Sequence, residues 1–329
     1  MKWMFKLVFV GAALWSGYWF IGARAQEKIY GELLIESRNQ GWTAESRNLG
    51  VSGFPNRFDT TLTGLNFRDP SGRWSWRGDE FQLKALSYKP NHIIMAWPGE
   101  QVVGTPEGDV TINSALLRAS LVVTPSTNLP LSRFQIEGEA VALDISQIGD
   151  AEIGVLNGAL YQDENEPTSY RLGLELTDVS APRGLISGIG GSSIINGDIE
   201  RIQLSAKLEF DRELDRLALN GGQSPRLLSA NIEPSRIVWA DSALAVSGLI
   251  TEGQNGLIEG NLRFDVENWE PLYEVFKQAS SLSTTELITL KRALDGAASG
   301  ENLIFTLDFT DGKTMIGPIA IGPAPDYPF

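Results

Sequence analysis

The sequence predicts a mainly β fold: a large curved antiparallel sheet, forming an open groove, a partial barrel or a sandwich, with an N-terminal transmembrane helix and a short C-terminal helical pair. Three observations predict it. Beyond Trp42, apolar and polar residues alternate with period two through most of the chain. Residues 1–25 carry a long uncharged apolar run. Two stretches near the C-terminus switch to the helical period.

The alternation is cleanest in "RIQLSAKLEF", Arg201–Phe210. Ile202, Leu204, Ala206, Leu208 and Phe210 share one face; Arg201, Gln203, Ser205, Lys207 and Glu209 share the other. Tyr170, Leu172, Leu174 and Leu176 repeat the pattern, as do Ile258, Leu262, Phe264 and Val266, then Leu303, Phe305, Leu307 and Phe309. Half-buried antiparallel strands read this way; parallel strands covered on both faces would be apolar throughout. In "VSGFPNRFDTTLTGLNF" the Gly53–Asn56 stretch predicts a tight connection between two strands. Phe58 and Leu62 then share a parity that passes to Leu65 and Phe67 after Gly64. Ile136 and Val141 change parity likewise around Gly138. A β-bulge at each glycine, bending a long strand, is the expectation.

Helical period returns in "NWEPLYEVFKQAS", where Trp269, Leu272, Tyr273 and Phe276 line one side behind Pro271. It returns again in "STTELITLKRALDG", with a Ser283–Glu286 capping box, Leu287, Leu290 and Leu294 on one stripe, and Gly296 as the expected stop. Two short helices cannot cover the apolar face of so many strands. That face must close on itself or stay lined as a groove for an apolar ligand.

Leu7 to Ala23 carries no charge, with Lys2 and Lys6 before it and Arg24 after it. The run reaches the lower edge of the roughly 17–25 residues that cross a bilayer as a helix. Trp3 at one end and Trp15, Tyr18 and Trp19 towards the other suit the lipid–water interfaces. Ala23-Arg24-Ala25 also has the form of a signal-peptidase site, which would release a soluble chain starting at Gln26. The run is longer than the roughly 7–15 residues of a signal core, and bulky aromatics crowd the site, so a retained anchor is expected. Either way the chain from Gln26 onward is exported. Residues 26–41 continue as a helical connector, with Ile29/Leu33 and Tyr30/Leu34 four apart and Gly41 at its end. Residues 42–329 form the β-rich domain, with a candidate boundary between two β subdomains in the Gly/Ser stretch 186–197.

Chemistry is sparse. A net charge of −14 argues against nucleic acid as a partner. The absence of cysteine excludes disulfides, thiolate metal sites and a Cys nucleophile. The single histidine, His92, opens an apolar run and reads as structural. Gly188-Ile189-Gly190-Gly191 lacks the βαβ setting of a dinucleotide loop. Asp163-Glu164-Asn165-Glu166-Pro167 reads as a solvated hairpin turn. No catalytic, metal-binding or cofactor-binding residue emerges, and a non-enzymatic protein is expected.

Four blocks together resemble the alphaproteobacterial "domain of unknown function 2125" family of exported proteins: "ALWSGYWFIGARA", "GVSGFPNRFDTTLTGLNF", "YKPNHIIMAWPGEQ" and "DGKTMIGPIAIGPAP". More distantly, the anchor, the β-rich body, "GFPNRF" and the closing "DGK…GPIAIGPAP" are similar to the AsmA-like superfamily. That resemblance implies a single-pass inner-membrane anchor, a periplasmic body, and a part in envelope homeostasis and phospholipid movement. With the apolar sheet face, read as concave, it gives the expected ligand, a lipid such as a phospholipid or another hydrophobic molecule. The candidate lipid-facing residues are Ile202, Leu204, Leu208, Phe210, Leu172, Leu174, Leu262 and Phe264. The other reading is a structural adaptor with a closed β core that recruits envelope proteins.

Overall fold

The structure is a computed structural model, and it describes residues 2–180, 198–219, 224–253, 256–280 and 282–327. The Gly/Ser stretch 186–197 lies outside the described residues. Among the described residues nineteen strands form a large antiparallel sheet, with one long N-terminal helix and two short helices near the C-terminus. The chain divides into two compact units: Met1–Pro125 with Ile136–Ser146, and Ser126–Gln135 with Gln147–Phe329.

The first unit opens with α1 (Lys2–Asn39), which runs unbroken through the apolar stretch and the connector. Gly41, at a φ of +88°, turns the chain after it. Then come β1 (Thr43–Glu45), β2 (Asn48–Ser52), β3 (Arg57–Arg68), β4 (Ser75–Leu86), β5 (Lys89–Ala96), β6 (Gln101–Thr105), β7 (Gly108–Asn113), β8 (Leu116–Val123) and β9 (Leu131–Ile145), whose first residues, as far as Gln135, belong to the second unit. β2 and β3 are joined through Gly53–Asn56, as the sequence predicts. Phe58, Thr60 and Leu62 are buried on one face of β3, and Leu65 is buried after the change of parity. Gly64 sits at the change with a φ of +60°, a conformation that glycine adopts without steric cost. No residue is extra there, however. Thr63 pairs with Glu80 and Leu65 with Gly78, so Gly64 stands level with Asp79 and both strands switch face together. In β9 the left-handed residue is Ala140, at a φ of +47°, rather than Gly138.

The second unit contains β10 (Gly149–Gln162), β11 (Ser169–Ser180), β12 (Ile199–Phe210), β13 (Leu227–Trp239), β14 (Ser242–Glu252), β15 (Ile258–Glu267), α2 (Trp269–Ala279), α3 (Thr284–Ala297), β16 (Ala298–Ser299), β17 (Asn302–Thr310), β18 (Lys313–Ile316) and β19 (Ile319–Pro323). Ser283 caps α3 as predicted: its hydroxyl accepts from Glu286 N at 3.4 Å, and the Glu286 carboxylate accepts from Ser283 N at 2.8 Å. Gly296 does not stop the helix. It lies inside the last turn, and Ala298, extended at φ −72° and ψ 145°, ends it.

One irregularity keeps the sheet in phase. Pro234 has no N–H to give the ladder, and the β12–β13 register shifts there between Gln203 and Ser205. Ser235, 3% exposed, fills the irregularity with its side chain: Oγ accepts from Ser205 N at 3.0 Å, and its O–H donates to Glu233 O at 2.9 Å. Ser235→Ala removes that acceptor from a buried N–H. The expected loss is about 1–3 kcal/mol of unfolding free energy, read as a lower urea midpoint with an unchanged slope. An unchanged midpoint would show that the shift does not depend on the hydroxyl.

Candidate apolar-ligand site

Direct cross-strand partners share a face, so the registers can be followed from strand to strand across the second unit. One row runs Leu156, Leu176, Ile202, Ile237, Leu244, Val266 and Leu303. A second runs Leu160, Leu172, Ala206, Ile232, Gly248, Leu262, Leu307 and Ile316. Leu174 and Leu204 pair between them. The opposite face is polar and carries ion pairs: Arg236 with Glu267 at 2.9 Å and Arg201 with Glu175 at 3.7 Å. The two faces differ by a whole set of side chains, and a slip of one residue would exchange them.

The apolar face is covered at two places. At one, Tyr170, Phe210, Leu227, Ala230 and Tyr327 form a buried cluster, with Leu208, Leu160 and Ile250 against it. Burial pushes the Tyr170 phenol above its ordinary pKa, and its hydroxyl accepts from Leu214 N at 3.0 Å. At the other, α2 and α3 lie over β14, β15, β17 and β18. Trp269, Tyr273, Leu290 and Leu294 pack with Val266 and Leu303. Between the two, Leu172, Leu174, Leu176, Ile202, Leu204, Ile232 and Ile237 are only half-buried.

Beneath the helix pair is a cavity of ≈ 350 Å³. Leu244, Phe264, Phe305 and Leu307 form its sheet side; Trp269, Leu272, Phe276 and Leu290 form its helix side. Phe264 and Phe305 stack across the strands at 5.0 Å. The one hydroxyl among the lining side chains, on Tyr273, is turned to Leu287 O at 3.0 Å, and burial raises its pKa. Lys291 lies over the Trp269 and Tyr273 rings, with Nζ 4.3 Å and 5.7 Å from their centroids, and its bond to Asp295 holds its pKa above the ordinary value. The volume falls at the lower end of small-molecule sites, roughly 300–1,000 Å³. The arrangement can hold a hydrocarbon chain and offers such a chain no chemistry.

The predicted lipid-facing residues divide among these regions. Ile202, Leu204, Leu172, Leu174 and Leu262 lie on the half-buried rows. Phe264 lines the cavity. Leu208 and Phe210 belong to the buried cluster. The helix side of the cavity was not foreseen as a site. Its signal was the amphipathic stripe of each helix, which reads as packing.

His92 Nε2 lies 2.9 Å from Ser120 Oγ, the spacing of a base and a nucleophile. Among the described residues no carboxylate hydrogen-bonds the other ring nitrogen, so the orienting third member of a triad is missing. The pair joins β5 and β8, where His92 stands opposite Val122. Glu166, in the turn between β10 and β11, pairs with Lys207 of β12, which holds the carboxylate below its ordinary pKa. Among the described residues no three His, Asp or Glu side chains gather as metal ligands.

A family model described as "Uncharacterized protein conserved in bacteria (DUF2125)" matches residues 19–325. No curated protein and no solved structure matches the chain.

Truncations distinguish covered from open face. Leu290, 1% exposed beneath the helices, is expected to cost about 2–5 kcal/mol as Leu290→Ala. Leu204→Ala, on the half-buried rows, is expected to cost less than about 1.5 kcal/mol because less area returns to water. Chemical denaturation of both variants checks this. Equal losses would mean that the rows are as fully packed as the cluster.

Proposed function

The chain belongs to the DUF2125 family, and we propose that it is a membrane-anchored envelope protein that holds phospholipid acyl chains on the apolar face of its second unit. The observation that carries this reading is the pair of apolar rows, half-buried in their middle and leading to an apolar cavity of ≈ 350 Å³ beneath α2 and α3. Holding is passive. Each methylene moved from water onto Leu, Ile and Phe side chains contributes about 0.8 kcal/mol, and no group in the cavity needs to change protonation.

The anchor is α1. It is long and apolar enough to cross a membrane, and nearly all of its apolar stretch is free of protein cover. Among the described residues it is the single helix of that kind. The positive flank of Lys2 and Lys6 supports an N-terminus inside and a body outside the cytoplasm, which in a double-membrane cell is the periplasmic side of the inner membrane. The resemblance of the same blocks to AsmA-like proteins supports a part in envelope homeostasis. The protein acts without catalysis in this reading.

Purified full-length protein, extracted after gentle detergent solubilisation, is expected to yield stoichiometric phospholipid by mass spectrometry. Leu204→Asn and Phe305→Ala are expected to reduce the recovered lipid several-fold, with Leu204→Asn leaving the melting temperature within a few degrees. Reproducibly lipid-free protein would overturn the reading in favour of an adaptor with a closed core.

A further inference from the structure

We propose that two hairpin tips of the first unit, Gly53–Arg57 and Ser87–Lys89, enter the membrane interface beside α1, and that Phe54 is seated in lipid. This rests on the reading of α1 as a spanning helix.

The sheet grips the helix within its apolar stretch. Trp15 Nε1 donates to Pro55 O at 2.9 Å, Tyr18 OH to Ser87 O at 2.7 Å, and Trp19 Nε1 to Arg57 O at 2.6 Å. The Trp19 ring stacks on Phe58 at 6.0 Å. Trp19, Ala23 and Phe58 are all buried there. Gly22 completes the seat, since a Cβ at that position would stand 2.5 Å from the Phe58 ring.

Length then decides where the tips lie. The uncharged run of α1, Leu7 to Ala23 between Lys6 and Arg24, is about 17 residues and spans about 26 Å at 1.5 Å per residue. The hydrocarbon core is about 30 Å thick and takes about 20 residues. Crossing it therefore takes nearly the whole run between those two charges, the gripped residues Trp15–Ala23 included. The tips therefore share membrane depth with Trp15–Ala23.

Their chemistry suits that depth. Phe54 is 51% exposed and stacks on the exposed Phe20 at 5.7 Å; Tyr88, on the neighbouring tip, is 60% exposed. Irregular backbone is tolerated in a bilayer only where its polar groups are satisfied. Here the carbonyls of Pro55, Arg57 and Ser87 are satisfied by side chains of α1. Gly53 O accepts from Arg57 N at 2.9 Å, and Asn56 O accepts from Ser87 N at 2.9 Å. Pro55 has no N–H to satisfy. Arg24, Arg57 and Lys89 are exposed around the tips, where anionic headgroups attract cations; Arg57 also pairs with Asp59 at 2.5 Å.

The absence of native cysteine makes the test direct. Full-length Phe9→Cys, Phe54→Cys, Tyr88→Cys and Arg73→Cys, each labelled with an environment-sensitive fluorophore, are reconstituted in phosphatidylcholine/phosphatidylglycerol vesicles. Quenching is measured with lipids doxyl-labelled at shallow or deep acyl positions. The label at 9 is expected to respond to deep quencher. Labels at 54 and 88 are expected to respond to shallow quencher at least threefold more than the label at 73, in the turn at the far end of β3. Labels at 54 and 88 that behave like 73, with 9 still quenched, overturn the tip proposal and leave the anchor standing. An unquenched label at 9 overturns both.

Discussion

Cross-strand register is the constraint on which the second unit depends. Leu176 opposite Ile202, Ile202 opposite Ile237, and Leu244 opposite Val266 fix one apolar row over successive strands. Because side chains alternate with period two, a single slip would turn that row to water and bring Arg201, Gln203 and Glu175 inward. The fold therefore needs a device wherever a strand cannot keep count. At Pro234 the count is restored by the Ser235 hydroxyl, which enters the ladder in place of backbone. The cost of that device is one buried polar side chain, and the return is an uninterrupted face.

An uninterrupted apolar face must then be covered. The chain supplies only partial cover. α2 and α3 sit over one part with Trp269, Tyr273, Leu290 and Leu294, and the cluster round Tyr170 and Phe210 fills another. Leu172, Leu204 and Ile237 between them stay half-buried. Even under the helices the fit leaves ≈ 350 Å³. Mismatch of this kind is costly in a core and useful in a binding surface, since a ligand recovers the contacts that the protein lacks. In the proposed reading the occupant is a hydrocarbon chain, whose chemistry matches side chains that offer almost no free polar atom.

Much of this was legible in the residues. Strict alternation in Arg201–Phe210 gave the strand and its two faces, because period two has no other common cause in an amphipathic segment. Ser283 and Glu286 gave the start of α3, because capping is local chemistry. Gly64 gave the place where β3 changes face, though not its form: opposite residues switch together, which only the partner strand reveals. Gly296 misled for a related reason. A glycine permits a helix to stop but does not compel it, and here Ala298 leaves the helix to pair with Leu303. The cavity was illegible, since a stripe of Leu290 and Leu294 says which way a helix faces and not how closely it approaches. The grip on α1 was illegible too. Trp15 and Trp19 satisfy an interface reading whatever their indole N–H groups meet, and their partners lie 40 and 38 residues away.

The claim that the half-buried middle of the apolar face holds acyl chains is tested most directly by photo-crosslinking. A phospholipid with a diazirine in its acyl chain is incorporated into membranes containing the full-length protein and irradiated, and the labelled residues are mapped by mass spectrometry. The account predicts adducts in Leu172–Leu176, Ile202–Leu204 and the cavity lining around Phe264 and Phe305, in addition to α1. Adducts confined to Leu7–Ala23 and the tips beside it, with none on the second unit, would contradict it.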